Sequence, residues 1–190
     1  MIPVPLGAKL DANARLPGAR FIASPNFDER PPGEAIVLLV IHAISLPPGQ
    51  FGGDAIERLF TNCLDPAAHP YFQEIVSQRV STHFLIRRDG AVVQFVSCDK
   101  RAWHAGLSSW RGRDRCNDFS VGIELEGCAE LPFEEAQYQA LDHLLGVLKR
   151  SYPPAEIASH ADIAPGRKTD PGPHFDWTRI SPWLPAASKG

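Results

Sequence analysis

Three side chains in this sequence have the types and placement to hold a metal ion. His42 follows the aliphatic run "AIVLLVI", His160 ends the short apolar segment "EIAS", and Asp170 comes ten residues later across a loop bearing Pro165 and Gly166. Two imidazoles and one carboxylate suit zinc and leave a fourth tetrahedral position for water, the arrangement of a catalytic rather than a structural site. Spacing alone leaves a plainer reading open. A histidine at a strand end is commonly a hydrogen-bonded structural residue, and an aspartate before Pro171 commonly initiates a turn. Glu124 and Glu126 sit on alternate positions of "FSVGIELEG", where they read equally as a solvated pair of strand carboxylates. Lys168, by type alone, is a surface lysine.

The elements that position these residues can be read from hydrophobic pattern. Ala35–Ile41 is a continuous aliphatic run between Gly33 and Pro47, which predicts a strand buried on both faces, with His42 at its C-terminal end. Asp54 is placed to cap a short helix over "AIERLFTNCL", whose Ile56, Leu59, Phe60 and Leu64 recur at helical spacing. "VSTHFLIRRDGAVVQFVS" carries two β-prone runs around Asp89-Gly90, a hairpin signal. "FSVGIELEG" alternates as a further strand, with Val121, Ile123 and Leu125 on one face and both glutamates on the other. Ala136, Tyr138, Leu141, Leu144, Leu145 and Leu148 mark an amphipathic helix within residues 132–152, ended by Pro153-Pro154. "EIASHADI" reads as a short strand and "FDWTRISPWL" as a closing helix with Trp177 and Ile180 inward and Trp183 a further candidate. Interleaved strands and helices interrupted by a hairpin predict an α/β single domain, a mixed central β-sheet flanked by helices, spanning residues 35–185. Residues 1–34, rich in Pro, Gly and charge, read as an irregular N-terminal wrap.

Composition excludes several function classes. Nineteen basic and 22 acidic residues are interspersed, for a net charge of −3, so no electrostatic case for nucleic acid exists. The longest apolar run has seven residues, against the roughly 20 needed to span a bilayer. The N-terminal stretch lacks the charge and apolar pattern of a secretory signal. Cys63, Cys98, Cys116 and Cys128 form no CxxC pair and no short framework, which favours free thiols and a cytoplasmic setting.

Several blocks, "VIHAISLPPGQFGG", "HPYF", "RAWHAG", "CNDFSVGIELEG" and "IAPGRKTDPGPHFDW", resemble in the same order the AmpD-type branch of the amidase-2 and peptidoglycan-recognition superfamily, cytoplasmic zinc amidases acting on 1,6-anhydro-N-acetylmuramyl-peptides. The resemblance runs from about Pro25 to Trp183. It implies hydrolysis of the amide between the lactyl group of muramic acid and L-alanine, with Zn²⁺ on His42, His160 and Asp170. It also implies Glu124 as the base that takes a proton from water, and Lys168 as a fixed cation facing the reacting carbonyl. Glu126 stays structural and Arg167 stays in solvent. Expected substrate contacts are Arg79, Arg115 and Asn117 toward stem-peptide carboxylates, Tyr71 and Trp103 against sugar or peptide, and His83 lining the site. His69, His104, His143 and His174 gain no role from spacing. The resemblance implies the anhydro-muropeptide as sole partner, with no obligate protein partner. Two other readings stay open: a muropeptide-binding module without catalysis, which the filled ligand, Glu124 and Lys168 positions disfavour, and an amidase acting on intact murein. One departure stands beside the first ligand, where Ala43 replaces the Asn usual in the family.

Overall fold

A computed structural model describes residues 9–153 and 155–184. Its strands are β1 (Arg20–Phe21), β2 (Phe27–Glu29), β3 (Leu38–Ile44), β4 (Phe84–Ile86), β5 (Val92–Gln94), β6 (Lys100–Ala102), β7 (Ser109–Trp110), β8 (Arg113–Asp114), β9 (Ser120–Glu126) and β10 (Glu156–Ser159). Its helices are α1 (Ala55–Phe60), α2 (Pro70–Ile75), α3 (Glu135–Ser151) and α4 (His160–Ile163), with 3₁₀ turns at Cys116–Asp118 and Trp177–Trp183. Among the described residues one six-stranded sheet dominates, in the order β1-β5-β4-β9-β3-β10. Only the β4–β5 hairpin is antiparallel in it, so the mixed sheet expected from the pattern is present. Gly90 turns that hairpin with φ +81°, and a Cβ there would stand 2.6 Å from the Ala136 carbonyl oxygen.

Each face of the sheet is covered differently. On one, Leu39, Ile41, Phe84, Ile86, Val121, Ile123 and Leu125 pack against Tyr138, Leu141, Leu144, Leu145 and Leu148 of α3. Burying each of these leucines contributes about 1.5–3 kcal/mol. On the other face two separate clusters form. Leu85, Val93 and Phe95 pack beneath Ile56, Leu59 and Phe60 of α1 and Phe72 and Ile75 of α2. Leu38, Val40 and Ala158 pack beneath Cys116, Phe119 and Ile163. Between the two clusters runs β9, whose positions on this face are Ser120, Gly122, Glu124 and Glu126. Having no large apolar side chain there, β9 leaves a polar seam, and His42 faces it from the neighbouring strand.

Several local expectations change. Ser120–Glu126 is buried at every position, so the carboxylate face of β9 is an interior face rather than a solvated one. Two short strands, β1 and β2, arise in the N-terminal segment read as irregular, and β1 extends the central sheet. Helix α2 was not foreseen, although Pro70 at its first turn follows His69, whose Nδ1 accepts the Tyr71 N–H. Asp54 makes no capping bond; its carboxylate pairs with Arg58 instead, at 2.7 Å. His160 opens α4 rather than closing β10: Ser159 Oγ accepts the Asp162 N–H and the Asp162 carboxylate accepts the Ser159 N–H, a capping box already present in "SHAD". The chain therefore turns sharply at the histidine and aims its ring across β3.

Candidate metal and catalytic site

The β3–β9–β10 core sets the site. Parallel pairing puts His42 directly opposite Glu124, and Ser159 opposite Ile41, so His160 starts where β10 ends beside His42. Asp170 is brought back by its loop, where its carbonyl accepts the Ala161 N–H at 3.1 Å. The result is a compact trio. His42 Nδ1 lies 2.9 Å from His160 Nδ1, and Asp170 Oδ2 lies 3.0 Å from His160 Nδ1 and 3.4 Å from His42 Nδ1.

These distances test whether zinc fits. Ligand atoms about 2.0–2.1 Å from a tetrahedral ion stand roughly 3.3 Å apart, so the trio needs only tenths of an ångström to adjust. The far nitrogen of each ring is also engaged: His42 Nε2 meets His104 Nδ1 at 2.9 Å, and His160 Nε2 meets the Ala105 carbonyl at 3.3 Å. Rings held from behind, with Nδ1 converging on a carboxylate, form a donor set that could hold a metal ion and whose chemistry suits zinc with one position open.

Electrostatics follow from burial. Desolvation pulls the His42 pKa down to about 4, with His160 adding to the effect and Asp170 opposing it, so the ring is neutral and able to ligate. Burial resists ionisation of Asp170, yet hydrogen bonds with His160 and His42 outweigh it and hold the carboxyl well below the usual range. Glu124 goes the other way. Burial, reinforced by Asp170 and partly offset by Lys168, pushes its pKa well above that of an ordinary glutamate. Its Oε2 is buried with no hydrogen-bond partner among the described residues. Such a group is costly for folding, and where it lines a cleft it is a candidate for chemistry.

A cleft of ≈ 340 Å³ opens over His160 and Asp170 of the trio, with His42 buried behind them, and Glu124, Lys168, Tyr71 and Trp103 also line it. Tyr71 comes from α2, and Trp103 is oriented by its indole N–H donating to Asp28 at 2.7 Å. Ala43 also reaches the cleft, while packing with the α3-side core. The remaining expected contacts stand elsewhere. Arg79 donates to the carbonyls of Val76 and Gln78 and is absent from the cleft lining. His83 is buried behind the site, its Nδ1 accepting the Gly122 N–H and its Nε2 meeting the Lys100 carbonyl. Burial beside Arg30 lowers its pKa to about 3. Asn117 is buried, with Oδ1 accepting the backbone N–H groups of His104 and Ala105. Arg115 sits at φ +61°, pairs with Asp118, and borders a separate groove with Leu107 and Arg167. Arg167 is exposed, as expected, and its guanidinium also donates to the carbonyls of Ala105 and Leu107.

His104, to which spacing assigns no role, meets His42 with its ring. One signal was available. Gly122 interrupts an otherwise substantial strand, and glycine in a strand interior marks the close approach of another group. A Cβ at position 122 would fall 2.5 Å from His104 Cγ.

Comparison with known proteins agrees with this architecture. A family model described as N-acetylmuramoyl-L-alanine amidase matches residues 32–173. The 1,6-anhydro-N-acetylmuramyl-L-alanine amidase AmpD of Escherichia coli (strain K12) is 58% identical over 167 residues, 87% of this chain and 91% of that protein. A crystal structure of a selenomethionine AmpD derivative matches with a TM-score of 0.88 at 54% identity, covering 91% of this chain and 98% of that one. The amidase AmiD from E. coli, in complex with the substrate anhydro-N-acetylmuramic acid-L-Ala-D-gamma-Glu-L-Lys, matches with a TM-score of 0.59 at 29% identity, over 85% of this chain and 67% of that one.

Proposed function

Since the chain belongs to the N-acetylmuramoyl-L-alanine amidase family, we propose that it is a zinc-dependent hydrolase of 1,6-anhydro-N-acetylmuramyl-peptides, cutting the amide between the lactyl group and L-alanine in cell-wall recycling. The observation that carries this reading is the convergence of the His42, His160 and Asp170 donors at a cleft that His160 and Asp170 line together with Lys168 and Glu124, whose Oε2 is unpartnered.

Zn²⁺ held by His42, His160 and Asp170 would supply two positive charges, which polarise the scissile carbonyl, acidify the attacking water and return Glu124 toward its ionised form. Glu124 then accepts the proton of that water as it attacks, and delivers it to the departing alanine nitrogen when the C–N bond breaks. Its burial helps twice: no donor among the described residues competes for Oε2, and the protonated form is favoured while the amine leaves. Lys168 extends over the same cleft, where its ammonium stabilises negative charge growing on the carbonyl oxygen. Tyr71 and Trp103 offer aromatic surface to the sugar or the peptide stem.

The proposal includes a cytoplasmic location. All four cysteines are free thiols, and no described helix is long and apolar enough to cross a membrane. The direct test is mass spectrometry of a purified anhydro-muropeptide after incubation with the protein, with and without a chelator. Release of the free peptide stem, lost on chelation and regained with zinc, is the expected result. Cleavage by metal-free protein would overturn the zinc mechanism, and an intact substrate would overturn the activity.

A further inference from the structure

We propose that the His104–Ala105 dipeptide is the positioning element that sets the tautomer and aim of both imidazoles in the trio, an inference that rests on the metal reading above. His104 presents its side chain to His42, with Nδ1 at 2.9 Å from His42 Nε2. Ala105 presents its carbonyl to His160 Nε2 at 3.3 Å. Two adjacent residues thus stand behind the two ligand rings.

The chemistry gives the chain of bonds a direction. A neutral imidazole has one N–H and one bare nitrogen, and a ligand nitrogen must be bare. With Nδ1 of His42 turned toward His160 and Asp170, the proton resides on Nε2 and is donated to His104 Nδ1. His104 then carries its own proton on Nε2, which lies 3.1 Å from Ser120 Oγ, a hydroxyl able to accept it. The same logic places the His160 proton on Nε2, donating to Ala105.

The dipeptide is itself anchored on three sides. Asn117 Oδ1 takes both of its N–H groups, at 3.1 and 2.8 Å. Arg167 donates to the Ala105 carbonyl at 2.6 Å, tying it to the loop that carries Lys168 and Asp170. The His104 ring packs against β9 at Gly122, where a Cβ would fall 2.5 Å from its Cγ, so only glycine leaves room. Asn117 accordingly acts as a positioning residue rather than a substrate contact.

The test uses two readouts other than turnover on the full chain: zinc affinity by competition with a chromogenic chelator, and histidine tautomers by ¹H–¹⁵N correlation spectra of the zinc-loaded protein. The His104→Asn and His104→Leu variants are close in size, but only the amide oxygen of Asn can accept the His42 proton. His104→Leu is expected to lose roughly 10- to 100-fold in zinc affinity, while His104→Asn stays within a few-fold of wild type. Ser120→Ala, which keeps the ring and removes the end of the chain, should lose a few-fold; it decides the matter should His104→Leu not fold. The spectra should show protons on Nε2 of His42, His104 and His160. A wild type that binds no zinc overturns the metal reading and this inference together. Zinc binding with equal affinity in the Leu and Asn variants, or a proton on Nδ1 of His104, overturns the inference alone.

Discussion

Glu124 and Glu126 stand two residues apart on the same face of the same strand, and both are buried, yet their surroundings are opposite. Glu126 is fully committed: Oε1 accepts from the Gly52 N–H at 2.7 Å and from Arg87 at 3.1 Å, and Oε2 accepts the Arg88 N–H at 3.2 Å. Glu124 lines the cleft with one oxygen unpartnered. The loop after β3 and the β4–β5 hairpin close over Glu126, whereas the cleft opens over Glu124. A buried carboxylate stabilises a fold when its charge is answered, and is available for chemistry when it is not. Two identical residues in one strand have been divided between those roles by what packs above them.

The largest effect expected from this contrast is catalytic. Glu124→Gln, which keeps the shape and removes the charge, should lower kcat by roughly 10²- to 10⁴-fold while zinc content, measured by elemental analysis, stays near one per chain. Near-normal turnover would place Glu124 among the structural residues and erase the distinction.

Glu126→Ala should do the reverse. Removing it leaves the Arg87 guanidinium short of a partner in a mostly buried setting, for a loss of about 3 kcal/mol in denaturant unfolding. Turnover per folded molecule should be close to wild type, and a kcat loss matching that of Glu124→Gln would show that the two carboxylates act together.

A smaller effect concerns pH. The Glu124 pKa is raised in the folded protein, so between the ordinary glutamate value and the raised one the native state binds more protons than the unfolded state. Stability contributed at this position is therefore present at low pH and lost as pH rises through that window. In metal-free protein, Glu124→Gln should be more stable than wild type at neutral pH and converge with it in acid, as followed by thermal unfolding. A Glu124→Gln protein less stable than wild type at neutral pH would mean that the carboxylate has a partner.

The smallest expected change is at Ala43, in the strand next to this pair. Ala43→Asn should lower KM for the anhydro-muropeptide several-fold with zinc unchanged, because an amide at the cleft edge can hydrogen-bond the stem peptide and a methyl cannot. Ala43 also packs on the α3-side core, so a destabilised variant with no gain in kcat/KM would assign the position to packing.

Much of the framework was legible because it depends on short-range pattern. The aliphatic run into His42, the Asp89-Gly90 turn and the helical spacing of Leu141, Leu144, Leu145 and Leu148 each correspond to an element of the structure. His42, His160 and Asp170, singled out by type and placement, meet within 4.8 Å. Pattern was less informative where side chains had two plausible partners. The alternation of β9 separated its faces correctly but could not say that both would be covered. Arg167 is exposed, as its type suggests, but its grip on two carbonyls across the site had no local signal. Asn117 and His83, polar groups near the expected cleft, turn inward to satisfy backbone N–H groups that the fold had buried.

The amino-acid sequence by itself determined the strand into His42, the alternating strand β9, the hairpin and the long helix, because propensity, turn chemistry and periodicity act over a few residues; it offered His42, His160 and Asp170 as candidate ligands by type, and only the family resemblance made them a set. Only the tertiary structure decided that Glu124 is unpartnered and Glu126 is paired, that His104 stands behind His42 although 62 residues away, and that Arg167 fastens the Asp170 loop to Ala105. Those outcomes depend on which segments pack across the seam left by β9. Burial, which governs both the hydrogen-bond demand and the pKa of each group, is a property of the assembled layers and not of any one of them.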